Sequence, residues 1–253
     1  MYKDRKEKIV ATIEARMSSS RLPGKVLLPL VGKPVLWHLI ERLKRSQYLD
    51  VICVATTTNA ADEPVVALAR ELGVSCFRGS EQDVLGRVLG AARSVGADII
   101  VEITGDCPAM DPAAVDRCIE AFCAHDVDYV SNSLSITYPN GGFDVQVFPT
   151  KVLAEVDQLT QNPVDRTHVS YYIYQHPEKY RLLNVEAPSE AFAPELRVTL
   201  DEEVDYTVIA KVFEALYPHD PNFSAVDIIR FLKAHPEIAA LNRSVRQKEP
   251  HEL

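Results

Sequence analysis

Two features of the chain predict an α/β protein built on a mostly parallel sheet covered by helices. Short runs that are apolar along their whole length alternate with segments whose apolar residues recur at helical spacing, and glycine or proline stands at the junctions. A run without polar alternation belongs to a strand buried on both faces, so helices cover both sides of the sheet. Ile9-Val10-Ala11-Thr12-Ile13 is the first such run. Pro34 opens a helix in which Val35, Leu36, Leu39, Ile40 and Leu43 share one face. Residues 51–55 read as a buried strand. Residues 61–72 read as a helix, with Pro64 in its first turn and Gly73 just past its end. A strand at 74–77, a helix at 82–95 ended by Gly96, a strand at 98–104 and a helix at 112–125 continue the alternation.

The rhythm changes after residue 128. Residues 129–131 and 143–148 read as strands, the second alternating in character, with turn chemistry at 138–142 between them. A helix is expected at 165–175, a strand at 180–185, a short apolar strand at 196–200, and helices at 203–217 and about 225–234. The simplest organisation is one domain over 1–253 with a smaller mixed excursion at about 131–195 and a flexible polar tail at 243–253.

Composition narrows the function. An apolar fraction of 47% and a charged fraction of 25% over 253 residues are those of an ordinary globular protein. No apolar run approaches the roughly 20 residues of a membrane span, and the charged N-terminus has no signal-peptide core, so a cytoplasmic location without membrane partners is expected. A net charge of −9 argues against a nucleic-acid partner. The five cysteines form no C-x-x-C pair and sit mostly in apolar runs, as reduced packing residues do. Cys107, which adjoins a candidate site, is also read as a packing residue.

Against that acidic background, residues 15–25 read Ala-Arg-Met-Ser-Ser-Ser-Arg-Leu-Pro-Gly-Lys, with Arg16, Arg21 and Lys25 as the only charges. A short cationic loop directly after a first strand, rich in serine and turn residues, suits a polyphosphate. It is neither a P-loop nor a dinucleotide fingerprint, because Val26 follows Gly24-Lys25 and Ser19 stands where the first glycine belongs. Asp106 follows the strand at 98–104, and Asp201 follows the one at 196–200. Both acids therefore fall at the sheet edge where the cationic loop emerges, and neighbouring strands would bring them together. Two carboxylates completed by phosphate oxygens and water make a magnesium shell. Each acid alone would more simply cap the following helix.

The stretch 16–25, followed by Gly32-Lys33-Pro34, resembles the N-terminal signature of the sugar-acid cytidylyltransferases, the CMP-Kdo and CMP-neuraminate synthetases. It is most similar to their branch named after the spore coat polysaccharide biosynthesis protein SpsF. Segments 77–85, 105–108, 111–112, 144–148, 166–169 and 198–201 extend the likeness over about residues 8–215. The resemblance implies a Rossmann-like nucleotide-diphospho-sugar transferase fold, use of CTP with magnesium (Mg2+), and transfer of CMP with loss of pyrophosphate in cell-surface polysaccharide synthesis. It implies Arg16 and Lys25 on the triphosphate with Arg21 assisting, and Ala15 and Ser19 in the same substrate loop. Arg78, Gly79 and Ser80 would lie near the cytosine, and Asp106 and Asp201 on the metal. Thr104 and Asp144 would bind substrate, and Arg166 and His168 would face the acceptor or the partner subunit of a homodimer. Kdo synthetases carry a glutamine before Gly-Asp and an acid after it. Here Thr104 and Cys107 occupy those places, which leaves open whether the acceptor is a sugar acid or a phosphorylated metabolite. The alternatives are a glycosyltransferase of similar fold, against which the absence of a well-placed D-x-D counts, and a non-catalytic nucleotide-binding module.

Overall fold

The computed structural model describes residues 6–247. Its chain opens with β1 (Ile9–Glu14), a short hairpin of β2 (Pro29–Leu30) and β3 (Lys33–Pro34), and α1 (Val35–Leu43). Next come β4 (Val51–Thr57), α2 (Glu63–Glu71), β5 (Ser75–Gly79), α3 (Val84–Ser94), β6 (Ile99–Thr104) and α4 (Pro112–Ala124). The second half contains β7 (Tyr129–Ser131), β8 (Gln146–Pro149), α5 (Thr150–Leu159), α6 (Pro163–Thr167), α7 (Tyr171–Gln175) and β9 (Leu182–Asn184). It ends with α8 (Glu203–Leu216), α9 (Ala225–Ala234) and α10 (Pro236–Ala239).

The strand order β5-β4-β1-β6-β8-β7-β9 makes a seven-stranded sheet. Strands β5, β4, β1 and β6 run parallel, β8 is antiparallel to both β6 and β7, and β9 is parallel to β7. The expected parallel sheet with a mixed second half is thus what forms. Along β1, alternate residues serve two cores. Ile9, Ala11 and Ile13 pack with apolar residues of α1, α2 and α4, while Val10 packs with those of α3, α5 and α7. Both faces are covered, which is why these strands carry no polar alternation. A third cluster joins α8 and α9 through Phe213, Phe223, Ile228 and Ile229 to Phe143, Val198 and Leu200.

Several elements depart from the sequence reading. Residues 196–200 join no sheet and make only an isolated bridge from Arg197 to Asn140. Their apolar side chains, Val198 and Leu200, bury against α8 and α9 rather than beside a strand, so apolarity here reflects a helical cover and not a ladder. The helix expected at 165–175 splits into α6 and α7. Buried Val169 takes a left-handed backbone, φ 40°, between them, which an α-helix cannot accommodate. Strand β8 begins only at Gln146, and α5 directly after it was not expected. In the tail expected to be flexible, 248–253 lie outside the described residues. Within 243–247, Gln247 Oε1 accepts from Arg197 Nη1 at 2.8 Å.

Candidate active site

Strands β1, β4 and β6 end together, with Glu14 opposite both Ala55 and Thr104. The chain leaves β1 into the cationic loop, which is fastened at Met17. The Met17 N–H donates to Asp62 Oδ1 at 2.7 Å, and its carbonyl accepts from Gly24 N–H at 2.8 Å. Gly24 has φ 72°, the left-handed backbone that favours glycine. This turn starts Lys25 on a 3₁₀ turn and aims its side chain back over the sheet edge. From the other side, Gly105 N–H donates to Glu14 O at 2.9 Å. A Cβ on Gly105 would lie 2.7 Å from that carbonyl oxygen, so only glycine lets β6 pass close enough to deliver Asp106.

The three segments meet on one ammonium group. Lys25 Nζ lies 2.5 Å from Asp106 Oδ2 and 3.0 Å from Asp201 Oδ1, and Arg21 Nη2 lies 2.8 Å from the same Asp201 oxygen. Burial works against the charge on both Lys25 and Asp106. Their mutual attraction outweighs it, holding Lys25 above the usual lysine range and Asp106 below the usual carboxylate range. Asp201 arrives without strand pairing. Instead, Asn140 N–H donates to Leu196 O at 2.7 Å, and Val198 N–H donates to Asn140 O at 3.2 Å. Gly142 packs so tightly that a Cβ would sit 2.3 Å from Val198 Cγ2. The 138–142 turn therefore carries the 196–200 segment to the sheet edge.

These groups line a cavity of about 320 Å³ with Glu14, Arg16, Ser19, Ser20, Arg87, Thr104 and His168. Of the expected site residues, Arg16, Ser19, Arg21, Lys25, Thr104, Asp106, His168 and Asp201 are brought together there. The Arg16 side chain is 40% exposed and lies 3.5 Å from Glu81. The other expected residues do not line the cavity. Ala15 is buried beneath the loop. Arg78 donates to the carbonyls of Thr57 and Asn59 and pairs with Glu63, an assignment that ties β5 to the end of β4. Gly79 closes that strand. Ser80 Oγ accepts from Asp83 N–H, and its carbonyl accepts from Arg87. Arg166, expected beside the acceptor, is bidentate to Asp83 at 2.8 and 2.6 Å and also pairs with Asp157. Its guanidinium therefore clamps α6 to α3 and α5. Asp144 has its carboxyl raised to about 6 by burial and by the charge of Asp106. Cys107 is a packing residue. Its buried thiol lies 3.3 Å from Gly141 O and is raised well above the usual range by burial.

Glu14, Arg87, Arg197 and Asp205 carry no motif that singled them out. An acid closing an otherwise buried strand was the available signal for Glu14, and an arginine on the apolar face of α3 was the signal for Arg87. Arg87 Nε donates to Ala55 O at 3.2 Å, and its side chain is almost wholly buried. Glu14 and Glu102 share one face of the sheet, since Thr12 is the register partner of Glu102. Burial raises Glu102 to about 8, and burial plus the charge of Glu102 raise Glu14. Asp126 and Asp128, a D-x-D spacing, stand between α4 and β7 with both acids bound to Arg181.

The model of the cytidylyltransferase family matches residues 10–220. The chain belongs to that family. Cytidylyltransferases transfer a cytidylyl group, and the edge just described is where this chain gathers its charges. The spore coat polysaccharide biosynthesis protein SpsF of Bacillus subtilis is 33% identical over 238 residues, 91% of this chain and 96% of that protein. A cytidylyltransferase structure from Leptospira borgpetersenii superposes with a TM-score of 0.86 at 32% identity, covering 96% of this chain and all of the other. A CMP:2-keto-3-deoxy-manno-octonic acid synthetase complexed with CTP has the same fold at a TM-score of 0.62 and 19% identity, over 82% of this chain and 98% of the other. The resemblance read from the loop at 16–25 and the Rossmann-like fold it implied are both borne out. Among the described residues no helix is long and apolar enough to cross a membrane.

Proposed function

We propose that this cytidylyltransferase moves CMP from CTP to an oxygen of a sugar acid or a phosphorylated acceptor, releasing pyrophosphate, in the making of cell-surface polysaccharide precursors. The observation that carries this reading is the Lys25 ammonium lying between Asp106 and Asp201 in a cavity that also presents Arg16 and Arg21. Cations there meet the triphosphate. Lysine supplies a point charge and arginine a fork, and both suit the oxygens of a departing pyrophosphate. The loop and the Gly105 approach fix these groups before substrate arrives, so little reorganisation accompanies the reaction.

The two acids fit a divalent cation. Among the described residues no cluster of three or more His, Cys, Asp or Glu forms a complete metal cage. Asp106 and Asp201 share one partner and offer only oxygen donors, the arrangement of an ion whose shell is finished by substrate phosphates and water. Asp106 and Asp201 would hold magnesium there, and the ion when bound neutralises charge on the phosphates. His168, between α6 and α7, faces the cavity from the acceptor side. A homodimer through the 131–195 excursion completes the proposal. The supporting observation is apolar exposure, with Ile136 54% and Phe192 52% exposed.

The decisive assay is pyrophosphate release with CTP, UTP, ATP or GTP against a panel of acidic sugars and phosphorylated metabolites. Release with CTP and one acceptor class supports the reading. A preference for another nucleotide, or no release with any acceptor while CTP binds, overturns it.

A further inference from the structure

Behind Asp201 lies a buried network that no motif marked. Asp201 presents Oδ1 to Lys25 and Arg21, and its other oxygen accepts from Arg197 Nη2 at 3.1 Å. Arg197 is in turn held by Asp205, through Nε to Oδ1 at 2.9 Å and Nη2 to Oδ2 at 3.2 Å. Asp205 also accepts from the Asp201 and Glu202 N–H groups at 3.1 and 3.0 Å, closing the first turn of α8. The remaining partners come from the C-terminal segment after α10. Asn242 Nδ2 donates to Asp205 Oδ1 at 2.9 Å and to Arg197 O at 3.2 Å, and Gln247 Oε1 accepts from Arg197 Nη1 at 2.8 Å. Asp205 and Asn242 are 0% and 1% exposed.

We propose that this C-terminal segment belongs to the active-site apparatus, with Asn242 a positioning residue that sets the cation affinity of Asp201. The inference rests on Asp201 holding a divalent cation. A guanidinium on a metal-binding carboxylate both orients it and competes with the metal. Which effect dominates depends on where the guanidinium is held. Asp205 draws Arg197 to one side, leaving Asp201 Oδ1 toward the cavity. Asn242 fixes that arrangement by binding the Arg197 carbonyl and the Asp205 carboxylate with one amide. It does so without adding charge to an arginine already shared by two acids. Without the amide, Asp205 loses a buried donor, and Arg197 shifts toward Asp201, where it displaces the cation.

The test uses the full chain and manganese as the probe, its free concentration read by electron paramagnetic resonance with CTP present, beside a thermal melt. Asp201→Asn, Asn242→Ala and Gln247→Ala are compared with the unmodified protein. Asn242→Ala should bind manganese about tenfold more weakly, the low end of the range for groups that orient metal ligands. CTP binding measured in chelator should stay unchanged. Gln247→Ala, which removes one contact at the surface, should weaken manganese in the same direction by a smaller, measurable factor. A folded Asn242→Ala that binds manganese normally overturns the inference, whatever its melting temperature. Should Asn242→Ala fail to fold, normal manganese binding by Gln247→Ala overturns it instead. Normal binding by Asp201→Asn would remove the metal reading itself. Loss in Asp201→Asn with normal binding by folded Asn242→Ala removes only the positioning role.

Discussion

At the scale of single residues, the site depends on charges held close against the cost of burial. Lys25 is 13% exposed and has two carboxylates within 3.0 Å, so its removal leaves Asp106 and Asp201 repelling each other as well as depriving the triphosphate of a partner. Lys25→Ala and Arg21→Ala should each lower kcat/KM for CTP by about 1.5–3 kcal/mol, the range for a lost charge-assisted hydrogen bond. Lys211→Ala, on the exposed face of α8, should leave it unchanged; equal effects in all three variants would make the loop an ordinary surface turn. The Glu14–Glu102 pair gives a pH signature. Burial raises Glu102 from the ordinary glutamate value of 4.5 to about 8, so between those values the folded protein holds a proton that the unfolded chain has released. The Glu102 carboxyl therefore carries no charge-burial penalty below about pH 4.5 and destabilises the fold progressively as pH rises toward 8. Melting temperatures of Glu102→Gln should decline less between pH 5 and pH 8.5 than those of the unmodified protein; parallel curves would show that the pair does not hold a proton in the folded state.

Elements were legible in proportion to how far their apolar pattern depends on local geometry. β1, β4, β6, α1, α3 and α4 were read closely because their apolar residues pack on immediate sheet neighbours, and pattern and cover coincide. The 196–200 segment misled because its apolar residues meet α8 and α9, elements that the periodicity of five residues cannot reveal. The site divided in the same way. The structure brings Lys25, Asp106 and Asp201 together, and loop composition and element ends signal that charge at an edge. The pairing of Arg166 with Asp83 and Asp157 was not legible, because nothing local marks either acid as its partner. Local chemistry also conflicts with the fold in the β2–β3 hairpin. Its two-residue turn places Val31 at φ 44° and Gly32 at φ 77°, a geometry that asparagine–glycine adopts readily and a β-branched residue does not. Val31 is 42% exposed, so little packing is lost on replacing it. Val31→Asn should stabilise the protein by about 1 kcal/mol, the lower end of the strain held by such residues. An unchanged or lowered midpoint in denaturant would show that the valine packs where the turn geometry says it strains.

For the whole molecule, assembly is the property that the second half of the chain bears on most. The 131–195 excursion carries Tyr138, Tyr171, Tyr172, Tyr174 and Tyr180, and the structure buries two of them. Tyr138 and Tyr180 are each 5% exposed, Tyr138 packing on Phe143 and Tyr180 within the core under α3 and α5. The large apolar side chains that the excursion leaves outward are Leu134, Ile136, Phe192 and, at the end of α5, Leu159. Leu134 and Ile136 follow β7 and Phe192 precedes the 196–200 segment, and the two stretches are joined where Ala193 N–H donates to Thr137 O at 3.0 Å. A second copy covering this surface would bury apolar groups that a lone chain leaves in water, and would brace the segment on which Asp201 depends. Light scattering at micromolar concentration should therefore give about twice the 28.2 kDa of the chain. Ile136→Asp with Phe192→Asp should return it to a single chain, because each buries a charge in the proposed contact. The double variant should remain folded, since neither side chain contributes to a core, and its kcat should fall if pairing braces the Asp201 segment. A mass near 28.2 kDa for the unmodified protein refutes the dimer. A dimer that the double variant leaves intact shifts the interface away from this face.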